Sequence, residues 1–301
     1  MSQFLAEKHF PTAVELWNQL SPTQTSVSRL DEIIYRGHGN ADWKLEPSIL
    51  RPNTVQLLEK IWGPAPTADL QVLMEYTMLR AFVECCDTVG VYLPEVPAGL
   101  RDETGATSSF LHQCREYPEA WPCDFEQTFP RIMAMARHHG LPTRLLDWTT
   151  DPYVAVRFAV SDALRLREEA ISQEDETYSH QNLAIWELNT AKLPPLTPPV
   201  RVYNLPRAIS KNMASQFGLF TVHPLVGKKG QPAIDYSLEK ELGAASVASL
   251  QKFTVPVSEI STLYELCERS GATPARLFPG VDGVTKSVMD QFRYASAFGP
   301  P

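Results

Sequence analysis

The stretch that most constrains this 301-residue chain is ARHHGLPTRLLDWTTDPYVAVRFA, residues 136–159, because it holds a helix stop and a helix start close together. Gly140 suits the left-handed residue that ends a helix, and Pro142 cannot continue one. The preceding helix is predicted over residues 125–139, where Phe125, Phe129, Ile132, Met133, Met135 and Ala136 recur at helical spacing. Downstream, Asp151 is placed as an N-cap and Pro152 as the first helical residue. Val154, Ala155, Phe158 and Ala159 then fall on one stripe, which predicts a helix to about Arg167. A compact turn is expected to join the two helices.

The rest of the chain mixes both periodicities. A helix capped by Thr12 is predicted over residues 12–20, a long one over 68–89, and others over 206–215, 258–270 (capped by Ser258) and 284–294. Short runs of β-prone residues predict strands at 31–37, 183–188, 219–223 and 252–255. Residues 168–181 are polar and acidic and read as an exposed loop, and the prolines of 192–200 as an extended crossing. No linker separates independent cores. The expected fold class is α+β, a single domain with a mixed or antiparallel β core and helical insertions.

Composition removes some function classes. The chain is 44% hydrophobic and 21% charged, with no apolar run near the ~18 residues of a membrane span. The start, MSQFLAEKHF, has no secretory pattern, so a cytoplasmic location is expected. Five cysteines without CxxC spacing fit reduced thiols. A net charge of -8 disfavours non-specific nucleic-acid binding unless arginines such as Arg36, Arg51, Arg137, Arg144, Arg157, Arg201 and Arg207 gather on one face.

Two segments carry more polar residues and glycines than a core requires. In Tyr35-Arg36-Gly37-His38-Gly39, a strand-end arginine could present its planar fork to a phosphate, with the glycines admitting a ligand to the backbone. The plainer reading pairs Arg36 with an internal carboxylate such as Asp147. His38 reads as an exposed turn residue able to serve as acid or base. In the second segment, Thr149, Thr150 and the amides after Asp151 could hold a ligand oxygen. Trp43, Trp148, Phe158 and Trp186 read first as core aromatics, and Gln216-Phe217-Gly218 as a helix end turning into a strand. His138, His139 and Asp147 lack metal spacing, so no metal is expected.

Four motifs, YRGHGNADWKLEPSIL, ARHHGLPTRLLDWTTDPYVAVRFA, KNMASQFGLFTVH and LFPGVDGV, resemble in this order the signatures of the FRG-domain family, found in bacteria and their viruses. The resemblance runs from Tyr35 to about Tyr294. It implies an FRG domain over residues 31–295 with a helical insertion at about 55–135, a helical lead-in at 1–30 and a tail at 296–301.

The family's order of elements is similar to that of the ADP-ribosyltransferase fold, with an arginine on an early strand, a Ser/Thr strand running into an A-x-x-F-A helix, and a late Glu or Gln. That likeness implies NAD as substrate and catalytic positions Arg36, Thr149, Gln216 and Asp147. Arg36, Gly37, His38, Arg144, Trp148, Thr150 and Tyr153 would bind the nucleotide, with Tyr153 or Trp148 stacking on nicotinamide and Thr149 fixing Arg36 or the cofactor. Gln216 cannot act as a base, so either another carboxylate, Glu187, Glu239 or Asp147, does that work, or the site binds without transferring.

Three functions remain open on these residues: an NAD-using ADP-ribosyltransferase or NAD glycohydrolase, a non-catalytic nucleotide-sensing module, or an RNA- or DNA-associated protein. A role in defence or toxicity is implied by the family alone. The acceptor is unspecified.

Overall fold

The computed structural model describes residues 6–24, 32–63, 67–93, 96–101, 106–122, 128–194, 200–205, 211–222, 225–233, 237–244 and 249–299. Its seven strands are β1 Ala6–His9, β2 Ile33–His38, β3 Leu145–Thr149, β4 Asn182–Asn189, β5 Arg201–Tyr203, β6 Gly218–Val222 and β7 Leu250–Pro256. They form one sheet in the order β1-β7-β4-β2-β3-β6-β5. β1 lies parallel to β7 and every other pair is antiparallel, so the sheet is mixed and the fold is α+β.

The described α-helices are, in chain order, α1 Ala13–Gln19, α2 Pro52–Trp62, α3 Ala68–Val89, α4 Ala98–Arg101, α5 Ala106–Glu116, α6 Thr128–His138, α7 Pro152–Ser172, α8 Lys211–Ser215, α9 Leu238–Ala244, α10 Ile260–Ser270, α11 Pro274–Leu277 and α12 Val281–Phe298.

One join in the sheet is incomplete. β2 pairs with β4 along all six of its residues and β3 with β6 along all five, but β2 meets β3 only where Tyr35 faces Thr149. The sheet is thus two half-sheets parted by a notch. Each half has its own helical cover on the same face. α1, α7 and α10 pack over β2, β4 and β7 around Tyr35, Ile185 and Phe253. α3 and α6 pack over β3 and β6 around Trp121, Leu145, Phe220 and Val222. The opposite face of both halves shares one core, in which Ile34, Leu146, Trp148 and Trp186 meet Leu45, Leu238 and Leu242.

α7 sits against β2 with almost no side chain between the backbones. Ala155, Ala159 and Ala163, spaced by one turn each, are fully buried on the contact stripe. A Cβ on Gly37 would lie 1.9 Å from the Ala155 carbonyl oxygen, and one on Gly39 would lie 2.6 Å from the Ala163 nitrogen. The glycines beside Arg36 are therefore explained by helix docking, and the expectation that they admit a ligand to the backbone is replaced by the approach of α7.

The predicted Asp151 cap is present: its carboxylate accepts from the Tyr153 and Val154 amides at 2.8 and 3.4 Å, with Pro152 at the first position. Thr12 caps α1 as predicted, and α3 spans 68–89. Several expectations are corrected. The segment between α6 and α7 is not only a turn but contains β3, because Leu145, Leu146 and Trp148 are buried between half-sheet neighbours. Residues 168–181 are not a loop throughout. α7 continues to Ser172, and a 3-10 turn at Glu176–His180 is anchored by buried Tyr178, whose hydroxyl donates to the Ala163 carbonyl at 2.6 Å.

Ser258 does not cap α10. A 3-10 turn at Val257–Glu259 precedes that helix, and the Glu259 carboxylate accepts from the Ala13 amide at 2.9 Å. The lead-in is not helical alone, since β1 joins the sheet edge. α12 starts earlier and ends later than predicted. Residues 125–127, 206–210 and His223, included in predicted elements, lie outside the described residues, as does Cys123. Cys85, Cys86, Cys114 and Cys267 are free thiols. No described helix is long and apolar enough to cross a membrane.

Candidate functional site

At the notch between β2 and β3 lies a cleft of about 350 Å³. Its lining includes Arg36 and Gly37 from β2, Asp147 and Thr149 from β3, Arg137 and His138 from α6, Phe158 and Asp162 from α7, and Gln216 and Phe278 from turns beyond them. The two helical covers of the half-sheets supply its walls.

Asp147 is the centre of its charge. Arg137 donates to one Asp147 carboxylate oxygen through Nε and a terminal nitrogen, at 3.1 and 2.8 Å. Arg36 donates to the Asp147 backbone carbonyl at 2.7 Å and stands 3.6 Å from the same carboxylate oxygen. Arg36 thereby bridges the place where the two strands fail to pair, supplying a donor that the ladder does not. Burial alone would raise the Asp147 carboxyl; Arg137 and then Arg36 outweigh it and hold it at about 2. Burial lowers Arg36 to about 10, against the pull of Asp147 and with added repulsion from Arg51 and Arg137, and it stays charged at neutral pH.

His38 is 3% exposed, which corrects its reading as an exposed acid or base. Arg36 Nε donates to His38 Nε2 at 3.0 Å, and the Trp186 indole N–H points at Nδ1 from 3.2 Å. Two donors aimed at both ring nitrogens leave no room for an imidazolium, and a neutral ring can accept from only one. Burial first, then the Arg36 charge, puts the His38 pKa well below its ordinary value. Its role is to orient Arg36.

Thr149 and Gln216 reach the cleft with their polar atoms already engaged. The Thr149 hydroxyl accepts from the Asp151 amide at 3.0 Å and donates to the Gln216 carbonyl at 2.7 Å, so it fixes the turn and not Arg36. The Gln216 side-chain amide donates to the Leu277 carbonyl at 3.0 Å. Gln216 itself ends the turn after α8, and Phe217 at φ 50° redirects the chain into β6, in keeping with the helix-to-strand reading.

Besides His38, four predicted binding residues are not among those facing the cleft with a free side chain. Arg144 is 1% exposed, bonded to Glu75 of α3 at 2.7 Å, and outside the cleft lining. The Trp148 ring is buried in the opposite-face core, its indole donating to Thr221 at 2.9 Å. Tyr153 stacks on Trp17 at 4.2 Å, and exposed Thr150 lies outside the cleft lining. Of the alternative carboxylates, Glu187 and Glu239 lie outside the cleft lining, and Glu239 accepts from the Leu45 amide instead.

Asp162 and Phe278 are members that residue reading did not select, and Arg137 entered it only among the arginines weighed for nucleic acid. Asp162 continues the Ala155, Phe158 stripe by one turn, so helical spacing could have found it. Its carboxyl is raised by burial and its nearest cation is Arg165 at 4.0 Å. Phe278 had no local signal, since only the packing of α11 brings it there; it meets Phe158 edge to face at 5.9 Å. Of the seven arginines weighed as a nucleic-acid face, Arg36 and Arg137 line the cleft, Arg144 and Arg157 are buried in ion pairs, and Arg207 lies outside the described residues.

A larger, open depression of about 680 Å³ lies beside the Glu176–His180 turn. Glu174, Asp175 and Glu176 on its rim oppose an anionic ligand, so the cleft is the stronger candidate site.

The family model for the FRG domain matches residues 31–168. No curated protein and no solved structure matches the chain.

Proposed function

Because this chain carries an FRG domain over residues 31–168, we propose that the domain binds a nucleotide in the α6–α7 cleft, that NAD is the ligand, and that its nicotinamide bond is cleaved by hydrolysis or ADP-ribosyl transfer. The observation that carries this reading is the pair of guanidinium groups, Arg36 and Arg137, sharing one carboxylate at the floor of a cleft walled by Phe158. Two fixed cations against one anion favour a phosphate, and an aromatic edge suits a base or nicotinamide ring. The volume stands at the small end of the roughly 300–1,000 Å³ of ligand pockets, enough for one half of a dinucleotide.

The ADP-ribosyltransferase-like element order supports the choice of NAD. Arg36 on a central strand, Thr149 running into the Ala155, Phe158, Ala159 helix, and Gln216 before β6 all border this cleft. In the chemistry proposed, the bond from ribose C1′ to nicotinamide breaks with its electrons leaving on the ring, and an acceptor oxygen forms the new bond. Ionised Asp147 faces the positive charge that develops on the ribose. Asp162, whose carboxyl is raised and which is not tied to Arg36 or Arg137, takes the acceptor's proton. Defence or toxicity is the biological setting proposed for such an activity.

A second reading, binding without turnover, is favoured by one specific feature. The Gln216 amide is committed to Leu277, and no glutamate lines the cleft among the described residues. Titration of NAD, ADP-ribose and ATP by calorimetry, with nicotinamide followed in the same samples, separates the two. NAD binding weakened at least about tenfold by Arg137→Gln, with nicotinamide released by the wild type, is the expected result. Binding without release selects the second reading, and no binding of any of the three overturns both.

A further inference from the structure

A second cavity, of about 230 Å³, adjoins the cleft and shares Phe158, Asp162 and Phe278 with it. The Phe158–Phe278 pair, crossing at 90°, forms the wall between the two spaces. Beyond that wall the lining combines the apolar surfaces of Pro274 and Leu277 with Arg157, Arg165, Lys286 and Arg293.

Most of these cations are already neutralised. Arg157 is 1% exposed and bridges Glu268 and Asp290, each at 3.0 Å. Arg293 is 2.8 Å from Glu168 and 3.6 Å from Asp290, and Arg165 is 2.6 Å from Glu169. Asp290 is further held by the Ser161 hydroxyl at 2.6 Å. Lys286 differs. Among the described residues it pairs with no carboxylate, and its ammonium rests over the Phe278 ring at 3.8 Å. An exposed lysine stem on α12 thus holds an uncompensated charge against the wall that separates the cavities.

We propose that the ligand is a dinucleotide-class molecule that spans both spaces, one half in the main cleft at Arg36 and Arg137, the other beyond the Phe158–Phe278 wall with a phosphate at Lys286. Neither space is large enough alone, and each offers a cation beside an aromatic ring, the pairing a nucleoside phosphate requires. Phe278 serves both, one ring presented to two half-sites. The inference rests on the nucleotide reading of the main cleft and adds to it the ligand's extent.

The test compares NAD and ADP-ribose with AMP and nicotinamide mononucleotide by calorimetry on the full chain, in wild type and Lys286→Glu. Lys286 is exposed, so the variant is expected to fold, which circular dichroism checks. The expected result is a wild-type preference for the two-part ligands of at least about tenfold, shrinking toward parity in Lys286→Glu. A wild type that binds mononucleotides as tightly as NAD, or a preference unchanged in Lys286→Glu, overturns the second half-site while the main cleft stands. A wild type that binds none of the four overturns the nucleotide reading itself, and the second half-site with it.

Discussion

Asp147 lies between two arginines yet its side chain is 40% exposed, so its charge is shared between the protein and a ligand-accessible surface. Its carboxyl is held at about 2 against an ordinary 3.8, so it binds fewer protons when folded than when unfolded. The stability it contributes is present in full above pH 3.8 and is lost as pH falls through 2. Urea unfolding of wild type and Asp147→Asn should therefore differ by about 1 kcal/mol at pH 6, after allowance for solvent screening, and the difference should vanish near pH 2. A difference constant from pH 6 to 2 would assign Asp147 no electrostatic role.

His38 makes a contrasting case, a titratable group made inert. Burial and the Arg36 charge hold its pKa well below the ordinary 6.5, so on the nucleotide reading ligand affinity should show no step attributable to it around the ordinary histidine value. His38→Phe removes the acceptor for Arg36 Nε; its effect should appear as weaker ligand binding at every pH, measured by the same calorimetry. A wild-type binding step near pH 6 that disappears in the variant would mean that the ring does titrate.

At the scale of elements, α7 is the part on which the site depends, since it supplies Phe158 and Asp162 and fixes β2 beneath them. Its docking tolerates no side chain at Gly37. Gly37→Ala places a methyl 1.9 Å from a backbone oxygen, which cannot rotate away, and about 3 kcal/mol of lost stability is expected by chemical denaturation. Gly140 offers the comparison. Nothing lies within 4 Å of a Cβ there, but its φ of 92° is in the left-handed region, so Gly140→Ala should cost only about 1 kcal/mol. Equal losses in the two variants would contradict the close approach of α7.

These elements were largely legible beforehand. The Asp151-Pro152 start and the Ala155, Phe158, Ala159 stripe needed only capping chemistry and a period of 3.6. β3 was harder, because five residues between a Pro and a cap show no distinctive period and become a strand only through β6.

For the whole molecule, the two half-sheets with separate helical covers must be held in register for the cleft to exist. Buried Glu75 on α3 fastens the cover of the β3–β6 half: it accepts from Arg144 at 2.7 Å, from the Trp121 indole at 2.8 Å and from Gln71 at 2.8 Å. Removing it strands the Arg144 charge at 1% exposure, so Glu75→Ala should cost about 3–5 kcal/mol in unfolding. A loss below about 1 kcal/mol would mean that Arg144 finds water or another partner.

Arg144 shows why sequence placed it wrongly. An arginine seven residues before a cap looks the same whether its partner is a ligand phosphate or a glutamate sixty-nine positions away. By itself the sequence determined the α+β class, the principal helix starts and stops, and the two segments that meet at the cleft, because capping, periodicity and motif order act locally along the chain. Tertiary structure alone decided that Arg36 bridges a gap between strands, that its glycines serve α7, that His38 is buried, and that Phe278 closes the site. Each of those depends on which distant atoms fill the space beside a residue, and local chemistry carries no record of them.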